Sequence, residues 1–181
     1  MNVIWQPHAG KQTQALSQPD SVFEILYGGA RGGGKTSAGI AWMLKGTEDP
    51  GYTGLVIRRN HTDLRQWIDE AIKIYVHAKL SGKPGVFTFP SGAKIYTGHL
   101  KDADAYTQFQ GWNITRLLIE ELTQIPREED YLKLLSSVRS TCGIAPAVFT
   151  SANPGNIGTA WVKNRWKMGV EPEGKAFYDP V

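Results

Sequence analysis

An α/β architecture, with a mainly parallel central sheet flanked by helices on both faces, is the fold class this sequence predicts. Short apolar runs that read as buried strands alternate with stretches of three- and four-residue periodicity, and glycine and proline clusters punctuate the whole length. No internal repeat or low-complexity tract interrupts that alternation. At 181 residues with 41% hydrophobic content, the chain suits one globular domain, residues 1–181, with a substantial core.

The first strand is expected over residues 22–27, a run too short for a helix that ends at Gly28-Gly29. Residues 36–46 follow as a helix, with Ile40, Met43 and Leu44 on one face. A second strand spans residues 54–58. The clearest amphipathic helix covers residues 62–79, where Leu64, Trp67, Ile68, Ala71, Ile72, Tyr75 and Val76 recur at helical steps. Residues 86–98 read as a hairpin turning at Pro90-Ser91-Gly92. A strand over residues 116–119, a helix over residues 128–139 and a core strand over residues 147–150 complete the series, and Asn153-Pro154-Gly155 then makes a turn.

Composition excludes some classes and leaves others open. No apolar run is long enough to cross a bilayer, and residues 1–10 lack the basic-then-apolar layout of a secretion signal, so a soluble protein of the cytoplasm is expected. The lone Cys142 cannot form an internal disulfide and is expected as a buried, inert thiol; no Cys/His spacing resembles a zinc site. The net charge of +3 and pI near 8.9 suit a polyanion partner without requiring one.

Chemistry enters with Gly29-Ala30-Arg31-Gly32-Gly33-Gly34-Lys35-Thr36, which fits G-x-x-x-x-G-K-[ST] between a predicted strand and a predicted helix. Such a phosphate-binding loop turns successive backbone N–H groups around a phosphate oxygen and adds the positive end of the following helix. Lys35 is expected to reach the β- and γ-phosphates of ATP, and the Thr36 hydroxyl to ligate Mg²⁺. Arg31, inside the loop, could neutralise charge that develops during phosphoryl transfer. The fold is therefore expected to be that of a P-loop NTPase of the RecA/ASCE type.

Phosphoryl transfer to water also needs carboxylates at the metal and at the attacking water. Leu117-Leu118-Ile119-Glu120-Glu121 supplies both, because an apolar strand delivers its terminal acids to the sheet edge where the phosphate loop opens. Glu120 is assigned to the magnesium shell and Glu121 to the water. A helix that begins with acidic residues is the competing interpretation of the same pair.

From Phe109-Gln110-Gly111-Trp112-Asn113-Ile114-Thr115 into Leu118-Ile119-Glu120-Glu121-Leu122-Thr123-Gln124, the chain resembles the second nucleotide motif of bacteriophage terminase large subunits. The later segments Leu134-Leu135-Ser136-Ser137-Val138-Arg139-Ser140, Thr150-Ser151-Ala152-Asn153-Pro154-Gly155 and Trp161-Val162-Lys163 follow in the same order and at similar intervals. The resemblance covers nearly the whole chain. It implies an ATPase that moves double-stranded DNA into a capsid as a homo-oligomeric ring on the portal, with a small terminase subunit as partner. In that family the acidic pair is usually Asp-Glu, so Glu120 is a departure whose extra methylene suits contact with magnesium through water.

The resemblance also implies that Gln12 hydrogen-bonds the adenine edge, and that Ser151 and Asn153 form a coupling motif that senses the γ-phosphate. It further implies an arginine supplied by the neighbouring subunit; Arg58, Arg59, Arg65 and Arg139 are candidates, with Arg139 preferred for its place in Leu-x-Ser-x-x-Arg. The resemblance implies a chain truncated before the family's carboxyl-terminal nuclease domain, and no nuclease activity is expected of residues 1–181. A helicase-type motor and a non-hydrolytic, nucleotide-gated assembly module remain as rival readings.

Overall fold

The computed structural model describes residues 3–30, 32–100 and 105–178. Its elements run α1 (Lys11–Leu16), β1 (Glu24–Gly28), α2 (Lys35–Met43), β2 (Thr53–Arg58), α3 (His61–Ile74), β3 (Lys79–Ser81), β4 (Val86–Thr88), β5 (Lys94–His99), β6 (Arg116–Ile119), α4 (Glu128–Leu135), β7 (Ala147–Ala152) and α5 (Thr159–Arg165). Short 3₁₀ turns at Ala105–Phe109 and Leu122–Gln124 precede and follow β6. The strands form one sheet in the order β1-β7-β6-β2-β5-β4-β3. Pairing is parallel from β1 through β5 and antiparallel only where β4 and β3 extend the β5 edge.

Both faces of the sheet are covered because side chains alternate along the strands. On one face Val56, Leu118 and Phe149 meet Ala38, Ile40, Trp42 and Met43 of α2 and Trp67 and Ala71 of α3. On the other, Leu55, Ile57, Leu117, Ile119 and Val148 meet Tyr131 and Leu134 of α4 and Val162 of α5. Close approach of α2 depends on Gly39, where a Cβ would come within 2.9 Å of Leu118 Cδ1. Among the described residues, no helix is long and apolar enough to cross a membrane.

Several boundaries differ from expectation, among them α2, which ends at Met43 rather than at residue 46, and three have a tertiary reason. Helix α3 stops at Ile74 rather than reaching Lys79. Tyr75 leaves the helix to donate its hydroxyl to the Ile40 carbonyl (2.8 Å) and set its ring against Phe87, and residues 79–81 then pair with β4. Helix α4 ends at Leu135 rather than Arg139, because Ser137 and Arg139 exchange backbone hydrogen bonds with Ile114 instead. Strand β7 runs on to Ala152, paired with β1 up to Gly28. Helix α5 carries Trp161-Val162-Lys163, which sequence periodicity did not mark as helical. Cys142 is half-buried with its thiol near the Thr115 and Ser140 hydroxyls, a correction to the expected buried thiol.

Candidate nucleotide site

All five parallel strands point their carboxyl ends to one edge, and the chemistry collects there. Strand β1 delivers the phosphate loop, and β7 lies between β1 and β6, in register Gly28↔Ala152 and Ile119↔Thr150. Residues 120–121 and 151–153 therefore stand level with the loop. Of these, Glu121 and Asn153 border a cleft of about 690 Å³ that is also lined by Gly32, Lys35, Thr36 and Arg58.

The loop's shape follows from its glycines. Gly29, Gly32 and Gly34 all adopt positive φ, and Gly34 does so as the residue that opens α2. A side chain at Gly34 would also meet Gln12, whose Nε2 lies 2.7 Å from where a Cβ would sit. Gln12 is buried: its Oε1 accepts from the His8 N–H (2.6 Å), and its Nε2 donates to the Gly34 carbonyl (2.8 Å) and approaches the Ser37 hydroxyl (3.4 Å). Expected at the adenine edge, Gln12 instead braces the loop in this conformation, with donor and acceptor both engaged inside the protein.

Lys35 is buried and folds back, donating to the carbonyls of Gly29 (3.0 Å) and Ala30 (2.6 Å). Burial pushes its ammonium below the usual lysine range, and the Glu121 and Glu120 carboxylates oppose that shift. Thr36 is half-buried at the start of α2. Arg31 lies outside the described residues.

The acids do not lead a helix of their own. Glu120 directly follows β6, and Glu121 adopts the left-handed conformation (φ 57°) at the head of a three-residue 3₁₀ turn. That conformation is costly for a residue with a side chain, and such strain concentrates at working sites. Ser151 accepts from the Glu121 N–H (3.2 Å), and the Asn153 amide donates to the Glu121 carboxylate. Thr123 in turn holds the Asn153 carbonyl (2.8 Å). The coupling pair expected at 151 and 153 is thus in direct contact with Glu121.

Glu120 is fully buried and ion-paired through Oε2 with Arg58, at the end of neighbouring β2. Burial raises its carboxyl above the usual glutamate range, while the Arg58 guanidinium and the Thr36 hydroxyl beside it pull the other way. Its second oxygen, Oε1, has no hydrogen-bond partner among the described residues; Asn153 Oδ1 and Arg58 Nε share that state. An orphaned, fully buried carboxylate oxygen next to a threonine hydroxyl fits a small hard cation that takes its remaining ligands from water and phosphate.

Two of the four candidate arginines are engaged within their own chain. Arg58, a candidate for donation to a neighbouring subunit, is committed to Glu120 of its own chain. Arg59 likewise donates to the Gln124 carbonyl. Arg139 is exposed and bonded to the Gly111 carbonyl (3.1 Å), near the amino-terminal end of β6 and so at the opposite edge of the sheet from the loop. Sequence reasoning missed the Arg58–Glu120 pair, although both residues close apolar strands, a shared position that points to one sheet edge.

A phosphate loop on one strand, an acidic strand two places away and a polar strand between them define a P-loop nucleotide-binding domain of the ASCE type. Residues 26–177 match the family model for the terminase large subunit, T4likevirus-type, N-terminal part, and the chain belongs to that family. Among solved structures it is similar to the large terminase of a thermophilic bacteriophage (TM-score 0.60, 15% identity), covering 82% of this chain and 40% of that one. The N-terminal domain of the DNA packaging ATPase of bacteriophage phi29 is also similar (TM-score 0.59, 15% identity; 88% of this chain, 87% of that one). So is the HK97 bacteriophage large terminase (TM-score 0.58, 13% identity; 81% and 33%). At such identities the likeness is one of fold, and the chain spans less than half of the two large terminases. No curated protein sequence matches it.

Proposed function

We propose that this chain is a Mg²⁺-dependent ATP hydrolase that powers movement of double-stranded DNA into a procapsid. It acts as a homo-oligomeric ring on the portal, together with a small terminase subunit. The observation that carries the reading is the cleft in which Gly32, Gly33, Gly34, Lys35 and Thr36 of the loop face Glu121 and Asn153, with Glu120 buried behind Arg58.

The backbone N–H groups of Gly29, Ala30, Arg31, Gly32, Gly33 and Gly34 cradle the phosphates of ATP, and Lys35 exchanges its loop carbonyls for phosphate oxygens. Thr36 and Glu120 would hold the magnesium ion, whose chemistry is to neutralise phosphate charge. Glu121 orients the attacking water and accepts its proton, and Asn153 and Ser151 set where that carboxylate and its backbone stand. Arg31 stabilises charge from within the loop, and Arg139, free of its own cleft, is the arginine offered to a neighbour. An adenine contact by Gln12 requires its amide to leave His8 and Gly34.

Phosphate release by wild type and Glu121→Gln, with and without double-stranded DNA and over a range of protein concentrations, tests the reading. Wild type is expected to turn over, faster per molecule as concentration rises and with DNA present. Loss of the base lowers turnover by about 10²- to 10⁴-fold with nucleotide affinity intact. No turnover at any concentration would instead favour the assembly module.

A further inference from the structure

The Arg58–Glu120 pair does more than cancel charge. Glu120 has no exposed side-chain surface and Arg58 has 14%, and of the two it is Arg58 that lines the cleft. The two oxygens of Glu120 are unequal: Oε2 is occupied by Arg58, while Oε1 has no partner in hydrogen-bonding geometry among the described residues. Their relation is held by backbone, because β2 and β6 pair in register up to Ile57↔Ile119 and the Glu120 N–H donates to the Ile57 carbonyl (3.0 Å). Thr36 and, from α3, Glu70 are the other groups that bear on this carboxylate.

Ion choice depends on how many carboxylate oxygens are on offer. Mg²⁺ demands compact octahedral coordination and keeps several waters, whereas Ca²⁺ accepts more ligands and readily takes both oxygens of one carboxylate. We propose that Arg58 is a specificity-determining positioning residue: by occupying Glu120 Oε2 it leaves this carboxylate one oxygen, Oε1, for direct contact with the ion, and so favours Mg²⁺ over Ca²⁺. The inference rests on the nucleotide-site reading above and adds an ion-selecting role for Arg58.

The test is equilibrium binding of fluorescent ADP to the chain in EDTA, in Mg²⁺ and in Ca²⁺, compared for wild type, Arg58→Met, Arg58→Gln and Arg58→Lys. Wild type gains more affinity from Mg²⁺ than from Ca²⁺. Met and Gln, neither of which brings a positive charge to Oε2, shift that Mg²⁺:Ca²⁺ preference toward Ca²⁺ by about tenfold, the lower end of what an outer partner of a metal ligand is worth. Lys restores most of the preference, and the Mg²⁺ and Ca²⁺ gains are each read relative to the same variant's own binding in EDTA. A thermal melt identifies any variant that does not fold. Should Met fail that check, the polar Gln decides; should both fail, Lys decides, and a folded Lys variant without the ion preference overturns the role. A preference unchanged in a folded Met or Gln variant overturns the inference alone. Wild type that binds nucleotide in no condition overturns the nucleotide-site reading with it.

Discussion

The two edges of the sheet both carry buried charge, and they handle it differently. At the amino-terminal edge, Arg165 of α5 makes paired hydrogen bonds to Glu24 (2.6 and 2.9 Å) and a third to Glu128 (2.9 Å), while the Tyr131 hydroxyl donates to Glu24 (2.7 Å). Every one of those contacts closes within the protein, and the carboxylates hold the guanidinium above its usual range. At the carboxyl edge, Glu120, Arg58 and Asn153 each keep one buried atom without a partner, and Glu121 is held in a strained backbone conformation. Arg116, nearer the first edge, also leaves its Nε unpaired, but its guanidinium lies over the Trp42 ring at 4.6 Å. Arg165, Glu24 and Glu128 close their charges on one another, whereas Glu120, Arg58 and Asn153 keep buried polar atoms without a partner among the described residues.

That contrast can be broken by substitution. Lys35→Ala, at the unsatisfied edge, should weaken nucleotide binding by about a hundredfold, as expected for losing charged hydrogen bonds worth about 3 kcal/mol. Its urea-unfolding free energy should stay within about 1 kcal/mol of wild type. Arg165→Met should do the reverse, costing about 2 kcal/mol in urea unfolding, below the full range for a buried pair because Glu24 and Glu128 retain some exposure. Nucleotide affinity measured on the same sample should not move. If Arg165→Met abolishes binding in folded protein, the two edges are not separable.

Smaller effects sharpen the contrast. Asn153→Ala is expected to spare ATP binding and lower turnover or its stimulation by DNA about tenfold, equivalent to about 1.4 kcal/mol in the barrier. Normal DNA-stimulated turnover in that variant would reject the coupling role. The smallest effect concerns Asp20, hydrogen-bonded to Lys45 (2.6 Å), which holds its carboxyl below the usual aspartate range. A depressed folded value stabilises above the unfolded one and is lost as pH falls through it. Acid titration of unfolding for Asp20→Asn against wild type should therefore differ by only about 0.5 kcal/mol, given its exposure, with the difference vanishing at the acid end.

Much of this was legible in the chain because it is local. The loop of residues 29–36 needs only its glycines and flanking periodicity, and it does run from a strand, β1, into a helix, α2; the strand Arg116–Ile119 needs only its apolar run and is where expected. The α3 boundary was not legible, because Tyr75 leaves the helix for Ile40 and Phe87, which are distant in sequence. Nor was the partner of Glu120: Arg58 reaches it only through the β2–β6 register. Gln12 is similar, since its commitment to Gly34 depends on how α1 packs beside α2.

A structure of the chain with a non-hydrolysable ATP analogue and Mg²⁺ tests the central claim most directly. The terminal phosphate is expected between Lys35 and Glu121, with the metal at the Thr36 hydroxyl and on the Oε1 side of Glu120. A triphosphate seated elsewhere, or acids at 120 and 121 turned from it, would contradict it.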